Sequence, residues 1–212
     1  MVSADRLLAF GVTAFVVIVI PGPSVLFVVG RALASGRRVA VLTVVGNALG
    51  EYVQVIAVAV GVGALAEQSV AAFTALKLAG GAYLVYLGVK TFRERKSLAA
   101  AIRAPVADRS DRRSFFEGFT VGATNPKTVV FLAAILPQFV SRAGGHVAAQ
   151  ILLLGLVFAA IALVSDTIWA LAVGGFRTWF GRSPRRLELI GGAGGLAIVG
   201  VGAGLLLSGR KN

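Results

Sequence analysis

The chain lacks cysteine altogether and has a single histidine among its 212 residues. Without cysteine it can form no disulfide, no thiolate metal site and no dithiol electron relay. The one histidine, His146, falls in a predicted loop, which excludes a histidine metal cluster. Because the sequence also has no recognisable Ser/His/Asp set and no HExxH motif, it indicates neither an enzyme nor a cofactor.

Charged residues are scarce as well. They make up 14% of the chain, while hydrophobic residues make up 57%. A typical soluble domain has about a quarter charged and about 45–50% apolar residues. The mean hydropathy of +0.87 agrees with this excess of apolar residues. The composition therefore predicts a protein whose main surroundings are a lipid bilayer.

Acidic residues are the rarer of the two charged classes, with 9 Asp and Glu against 21 Lys and Arg. A net charge of +12 could indicate a nucleic-acid partner. The basic residues, however, lie in short gaps between apolar runs, which is typical of signals that orient a membrane protein. No nucleic-acid partner is predicted.

Six apolar stretches follow one another along the chain. They are Leu7–Gly30, Val39–Leu65, Ala71–Phe92, Phe115–Phe139, Ala148–Phe176 and Leu187–Leu207. At about 1.5 Å per residue, a helix of each length can cross a hydrocarbon core roughly 30 Å thick. The sequence predicts an all-α membrane protein with six transmembrane helices.

The distribution of Lys and Arg predicts how these helices are oriented. The connections after the first, third and fifth stretches are basic, with Arg31, Arg37 and Arg38, then Arg93, Arg95, Lys96, Arg103, Arg109, Arg112 and Arg113, then Arg177, Arg182, Arg185 and Arg186. The opposite side has only Arg6, Arg142, Arg210 and Lys211. Since basic loops stay in the cytoplasm, we expect both termini outside.

The two halves of the chain share a glycine motif. Ala79-Gly80-Gly81 with Gly88 recurs 114 residues later as Ala193-Gly194-Gly195 with Gly202. Because each half has three spans, an odd number, the two copies must insert with opposite topology. We predict two inverted three-helix repeats, residues 1–92 and 115–212, joined by a basic cytoplasmic linker over residues 93–114.

Proline interrupts the first helix of each repeat. The interrupted segments are Pro21-Gly22-Pro23-Ser24 and Thr124-Asn125-Pro126-Lys127. Proline removes a backbone donor and leaves a carbonyl without its helical partner, which lipid cannot satisfy. Paired breaks of this kind indicate a transporter binding site at mid-depth, although a packing kink is the simpler alternative for one break. The predicted substrate-binding residues are Pro21, Gly22, Pro23, Ser24, Asn47, Glu51, Thr124, Asn125, Pro126 and Lys127.

Two carboxylates fall inside predicted spans. Glu51 shares one helical face with Asn47 and Gln54, and Asp166 follows Glu51 by 115 residues, close to the offset of the glycine motif. A charge in the bilayer is costly unless it faces the bundle interior and has a partner. We predict that Glu51 and Asp166 exchange protons and that Lys127 neutralises them or binds a substrate carboxylate. A structural ion pair at Lys127 and a solvated position for Asp166 are the alternatives.

Several segments resemble signatures of a known family. They are Ile20-Pro21-Gly22-Pro23, Leu78-Ala79-Gly80-Gly81-Ala82-Tyr83-Leu84, Asn125-Pro126-Lys127 and Leu136-Pro137-Gln138-Phe139. Together they resemble the LysE/RhtB amino-acid exporters, and the likeness covers nearly the whole chain. It implies a bacterial cytoplasmic-membrane protein that exports amino acids or close derivatives, small zwitterionic substrates, in exchange for protons. It also implies a homodimer as one candidate assembly.

Two other functions remain open at this point. One is a divalent-cation exporter of the same superfamily, although only Glu51 and Asp166 are available as carboxylates within the spans. The other is a helical membrane scaffold that does not transport. The thiol-disulfide electron carriers related to this family are excluded because the chain has no cysteine.

Overall fold

The computed structural model describes residues 2–20, 22–68, 70–96, 110–141, 144–175 and 184–207. This part of the chain folds into α-helices and one short 3-10 turn, and no strand occurs in it. The helices are α1 (Ala4–Val19), α2 (Pro23–Ser35), α3 (Arg37–Gln68), α4 (Val70–Arg93), α5 (Asp111–Thr124), α6 (Pro126–Ala134), α7 (Val147–Gly175) and α8 (Pro184–Leu207). The 3-10 turn covers Leu136–Phe139. The predicted all-helical fold is confirmed.

Over the residues that the structure describes, each predicted apolar stretch is helical, and the first and fourth stretches are broken as expected. The axes of α1 and α2 differ by 56°, and α5 is bent by 44° from the segment that follows it. Within the described residues, α3 and α7 are long and apolar enough to cross a membrane, and each bent pair is too if it counts as one span. Up to four crossings therefore meet this criterion. The full set of six, arranged as inverted repeats, stays a prediction.

Helices α3 and α5 pack backbone against backbone. Gly46 and Gly50 of α3 lie against the backbone of α5, and Gly118 and Gly122 of α5 lie against the backbone of α3. A Cβ atom at any of these four positions would overlap a backbone oxygen of the facing helix. The sequence predicts a close approach beside Glu51 because small residues permit it. The structure confirms the approach and identifies α5 as the partner.

Helices α4 and α8 meet through the repeated glycine motif. A Cβ on Gly88 would lie 2.6 Å from the Gly195 oxygen, and a Cβ on Gly195 would lie 2.7 Å from the Gly88 oxygen. Gly81 and Gly202 face each other in the same reciprocal way. Gly195 and Gly202 are the counterparts of Gly81 and Gly88, so a two-fold axis would exchange these two contacts with each other.

A buried aromatic cluster holds α6 against α1 and α7. Phe10, Phe131 and Phe158 are at most 2% exposed. The ring of Phe131 lies 6.0 Å from that of Phe10 and 5.4 Å from that of Phe158. Because α6 begins at the second helix break and α1 ends at the first, this cluster brings the two breaks together.

The first basic connection differs from its prediction. Arg31 lies inside α2 rather than in a loop, and its side chain is 4% exposed. The connection between α2 and α3 is the single residue Gly36, whose positive φ of 87° suits glycine. Likewise α5 begins at Asp111, inside the predicted linker. The polar residues flanking an apolar stretch therefore extend the helices instead of ending them.

Candidate functional site

The two helices that follow the breaks start in a similar way. Asn125 caps α6, since its Oδ1 accepts a hydrogen bond from the Lys127 backbone N at 3.1 Å, and Pro126 occupies the first helical position. Gly22 caps α2 and Pro23 occupies its first position. A cap followed by proline is a favoured helix start, because the proline lacks only an N–H that has no helical partner there.

The carbonyl freed by the first break is bound by Lys127. A residue at position 21 would ordinarily donate to the Val17 oxygen, but Pro21 has no N–H. Lys127 Nζ instead donates to the Val17 oxygen at 3.1 Å and to the Ile20 oxygen at 2.9 Å. An ammonium group at a helix C-terminus is also favoured by the helix dipole. A residue of the second break thus completes the end of α1.

The carbonyl freed by the second break is bound by Gln54. Pro126 cannot donate to the Gly122 oxygen, and Gln54 Nε2 donates to it at 2.8 Å. The same amide nitrogen lies 3.4 Å from the Asn125 oxygen. In this conformation the Val17 and Gly122 carbonyls therefore have side-chain donors and are not vacant for a ligand.

The two breaks are also bonded directly to each other. Asn125 Nδ2 donates to Ser24 Oγ at 2.7 Å, and both side chains are buried. Gly22 lies against the Lys127 side chain, since a Cβ on Gly22 would come within 3.0 Å of the ammonium nitrogen. A side chain at position 22 would require the end of Lys127 to shift by a few tenths of an ångström.

Two buried carboxylates lie beside Lys127. Thr128 Oγ1 donates to Glu51 Oε1 at 3.2 Å, and Asn47 Nδ2 lies 3.4 Å from Asp166 Oδ2. The charges of Glu51, Asp166 and Lys127 are close enough to interact. Among the described residues, the second carboxylate oxygens, Glu51 Oε2 and Asp166 Oδ1, have no hydrogen-bond partner. The group can therefore accept a proton or an ammonium.

These polar groups surround a closed cavity of about 10 Å³. Its lining includes Ser24, Glu51, Asn125, Lys127 and Asp166, with Phe158 on the apolar side. That volume is about what one water molecule needs. An amino acid does not fit, so the cavity must widen before it can hold one.

The structure brings together most of the predicted site residues. Ser24, Glu51, Asn125, Lys127 and Asp166 line the cavity, Asn47 and Gly22 contact two of these residues, and Pro126 starts α6. Pro23 and Thr124 have exposed side chains and do not line the cavity, and Pro21 lies outside the described residues.

Thr128, which lines the cavity, and Gln54, which binds the second break, were not among the predicted site residues. Thr128 belongs to a threonine stripe with Thr120 and Thr124, but the hydroxyls of Thr120 and Thr124 donate back to their own helix. Only Thr128, beyond the break, faces Glu51. Gln54 could have been chosen because it shares a helical face with Glu51. Its carbonyl partner, however, depends on how α3 packs against α5.

Comparisons with known proteins agree with the resemblance to the LysE/RhtB exporters. The family described as LysE type translocator matches residues 15–209. The chain is 32% identical over 202 residues to the homoserine/homoserine lactone efflux protein of Salmonella typhimurium, which covers 95% of this chain and 96% of that protein. It is 27% identical over 198 residues to the leucine efflux protein of an Enterobacter species, covering 92% of each. An uncharacterized membrane protein of Vibrio cholerae is 34% identical over 139 residues, 66% of this chain and 67% of that protein. No solved structure matches.

Proposed function

Because the chain belongs to the LysE family of translocators, we propose that it exports amino acids or close derivatives from the cytoplasm across the bacterial cytoplasmic membrane. It is a transporter and not an enzyme. The observation that carries the proposal is the pair of bonded helix breaks, which enclose Glu51, Asp166 and Lys127 in one buried cavity. Breaks in membrane helices that face a polar cavity are where transporters bind solutes.

The charges around the cavity suit a zwitterion. An amino acid needs donors for its carboxylate and acceptors for its ammonium group. Lys127 supplies a buried ammonium, and Glu51 Oε2 and Asp166 Oδ1 supply oxygens that lack a partner among the described residues. When an amino acid enters, its ammonium group would take over the position of Lys127 between the carboxylates and the end of α1. Lys127 would then turn to the substrate carboxylate.

The same charges support exchange with protons. If both carboxylates were ionised, Glu51 and Asp166 would leave one negative charge unbalanced by Lys127. A buried unbalanced charge is costly, so the cavity without substrate would hold a proton. The substrate ammonium and the proton would compete for the same carboxylate oxygens, so binding of one would release the other, which is the exchange that a proton-driven exporter needs.

Alternating access would follow from two inverted repeats that move around this cavity. The reciprocal contacts of Gly81 with Gly202 and of Gly88 with Gly195 support a two-fold relation between α4 and α8. The cavity lies between the two helix breaks, which the proposed repeat would place at equivalent positions in the two halves. Six crossings with both termini outside and the basic linker in the cytoplasm complete the proposal. A homodimer, which the resemblance implies, is part of it as well.

Export can be tested in cells that overproduce the protein. We expect them to release homoserine or leucine when fed peptides containing these residues, and to tolerate toxic analogues of the same amino acids. A Glu51→Gln variant produced at the same level is the matched control and should do neither. Cells with the wild-type protein that accumulate amino acids like cells without it would contradict the proposal and favour a scaffold.

A further inference from the structure

A second group of charges joins α2 to α5, away from the closed cavity. Arg31 forms an ion pair with Glu117, and Glu117 also accepts a hydrogen bond from Arg113 Nε at 3.0 Å. Arg31 is 4% exposed and Glu117 is 25% exposed. The proposed transport cavity uses none of these three residues.

This group has an excess of positive charge and a spare donor. Two arginines surround one carboxylate, so the triad of Arg31, Arg113 and Glu117 has a net charge of +1. Among the described residues, Nη1 of Arg31 is buried without a hydrogen-bond partner. A guanidinium group can bind a carboxylate through two parallel hydrogen bonds, and leaving a buried donor unpaired is costly. The triad is therefore suited to one more carboxylate.

An open cleft lies directly beside the triad. It has a volume of about 460 Å³ and is lined by Phe27, Arg31, Arg113, Phe116, Glu117, Thr120 and Val121. The volume is ample for one amino acid. Arg31 lies over the ring of Phe27 at 5.1 Å, so the cleft offers an apolar wall next to its charges.

The triad and the closed cavity lie along the same pair of helices. Arg31 follows Ser24 by seven residues on α2, and Glu117 precedes Asn125 by eight on α5. At 1.5 Å per residue, the ion pair lies about 11–12 Å from the Ser24–Asn125 hydrogen bond. Both contacts join α2 to α5 or to Asn125, the residue directly after α5, so a ligand that separates the ion pair would loosen the same seam that closes the cavity.

We propose that this cleft is a second binding site, where an amino acid waiting for export binds before it enters the central cavity. Its carboxylate binds both Nη1 and Nη2 of Arg31 and displaces Glu117 from Nη2, and its ammonium group binds the Glu117 carboxylate that is released. The exchange of partners conserves charge pairing and opens the seam between α2 and α5. This inference rests on the proposed function, since the ligand is the exported solute.

A phospholipid headgroup offers similar chemistry, because phosphatidylethanolamine has a phosphate and an ammonium group. The amino acid is the better fit because Arg31 is buried rather than exposed at the surface. A ligand must therefore be small enough to reach the buried guanidinium group. Arg31 could accept a lipid phosphate only by turning outward. The experiment therefore includes both ligands.

The absence of cysteine makes the test direct. Thr120→Cys places a single thiol in the cleft, because the Thr120 side chain is exposed there and its hydroxyl bonds only to its own helix. We would measure the rate at which a maleimide labels this thiol in protein purified in detergent without phospholipid. Homoserine or leucine should slow labelling at least fivefold. Ala148→Cys, exposed on α7, is the control and should label at an unchanged rate.

Three further variants test whether the protection comes from binding at Arg31 in the cleft. Arg31→Gln should raise the half-protecting concentration about tenfold, as expected for losing a hydrogen bond to a charged group. Arg38→Gln, in the exposed ion pair with Asp111, should leave it unchanged. Glu51→Gln should abolish transport but keep protection at Thr120→Cys, since the cleft does not include Glu51.

The inference is overturned if neither amino acid protects Thr120→Cys, if Arg31→Gln leaves protection intact, or if only short-chain phosphatidylethanolamine protects. Unchanged labelling in a protein that still exports amino acids would overturn only the proposal that the cleft binds the amino acid. A protein that exports nothing from cells would instead overturn the proposed function.

Discussion

Lys127 is the side chain that connects the two helix breaks. Its ammonium group completes the end of α1, while its backbone nitrogen is capped by Asn125. It also interacts with the charges of Glu51 and Asp166. A single residue therefore satisfies freed carbonyls, balances buried carboxylates and occupies the position that a substrate ammonium would take.

Replacing Lys127 by methionine should lower stability because methionine keeps most of the side chain's length but donates no hydrogen bond. Hydrogen bonds to charged groups contribute about 1.5–3 kcal/mol each, and some of this is recovered by water or relaxation. We expect a loss of roughly 3 kcal/mol, which corresponds to about 6–12 °C in melting temperature for a chain of this size. Thermal unfolding in detergent, followed by circular dichroism, measures the shift.

Lys90→Met is the control for Lys127→Met. Lys90 is exposed near the end of α4, so its replacement should change the melting temperature by less than about 2 °C. Equal stability of the two variants would mean that Lys127 does not hold the breaks together.

Glycine positions decide how closely the helices pack. At Gly50 the backbones of α3 and α5 touch, which lets Gln54, one turn further along α3, reach the Gly122 carbonyl. The same helix has a glycine, Gly61, with no atom of another residue within 4 Å of an added Cβ. Helix α3 thus contains one glycine that packs against another helix, Gly50, and one with open space beside it, Gly61.

This difference predicts opposite effects for the same substitution. Gly50→Ala should lower the melting temperature because its methyl group overlaps the α5 backbone, at a cost of about 1–3 kcal/mol. Gly61→Ala should keep or slightly raise it, since alanine favours a helix over glycine by about 0.5–1 kcal/mol. The two melting curves, recorded in one detergent, provide the comparison. A destabilised Gly61→Ala with an unaffected Gly50→Ala would contradict the packing.

Local patterns in the sequence predicted the helices and both breaks, because proline chemistry and apolar length act within one segment. They also predicted the shared face of Asn47 and Glu51, which follows from helical periodicity. They could not predict that Gln54 binds the Gly122 carbonyl or that Arg31 is buried against Glu117. Those contacts depend on how separate helices meet. Thr124 lies outside the cavity because its side chain is exposed and its hydroxyl donates to the Thr120 carbonyl of its own helix.

On the scale of the whole molecule, the exposed apolar residues indicate contact with lipid, and the basic residues indicate contact with water. Large apolar side chains such as Leu8, Val60 and Leu189 are more than 70% exposed, which suits contact with lipid. Basic residues concentrate at the ends of α4 and α5 that border the linker. This separation predicts that the linker lies on one side of the membrane and the connection between the 3-10 turn and α7 on the other.

Single cysteines in the cysteine-free chain test this topology. Gly144→Cys lies in the exposed connection before α7, and Ser110→Cys lies exposed at the start of α5. With both termini outside, an impermeant maleimide should label Gly144→Cys in intact cells and Ser110→Cys only after the cells are permeabilised. The reverse labelling pattern would contradict the predicted orientation.

The most direct measurement of the central claim is amino-acid efflux from proteoliposomes, with and without a pH gradient across the membrane. For the wild-type protein we expect homoserine or leucine to leave loaded vesicles faster when protons can enter in exchange. In Glu51→Gln, which keeps the side chain's size but cannot ionise, the increase in efflux caused by the pH gradient should be at least tenfold smaller. Asp5→Asn, at an exposed carboxylate, should keep the full increase. Two results would contradict a proton-exchanging cavity between the two helix breaks. One is efflux at the same rate with and without the pH gradient, and the other is efflux by Glu51→Gln at the wild-type rate.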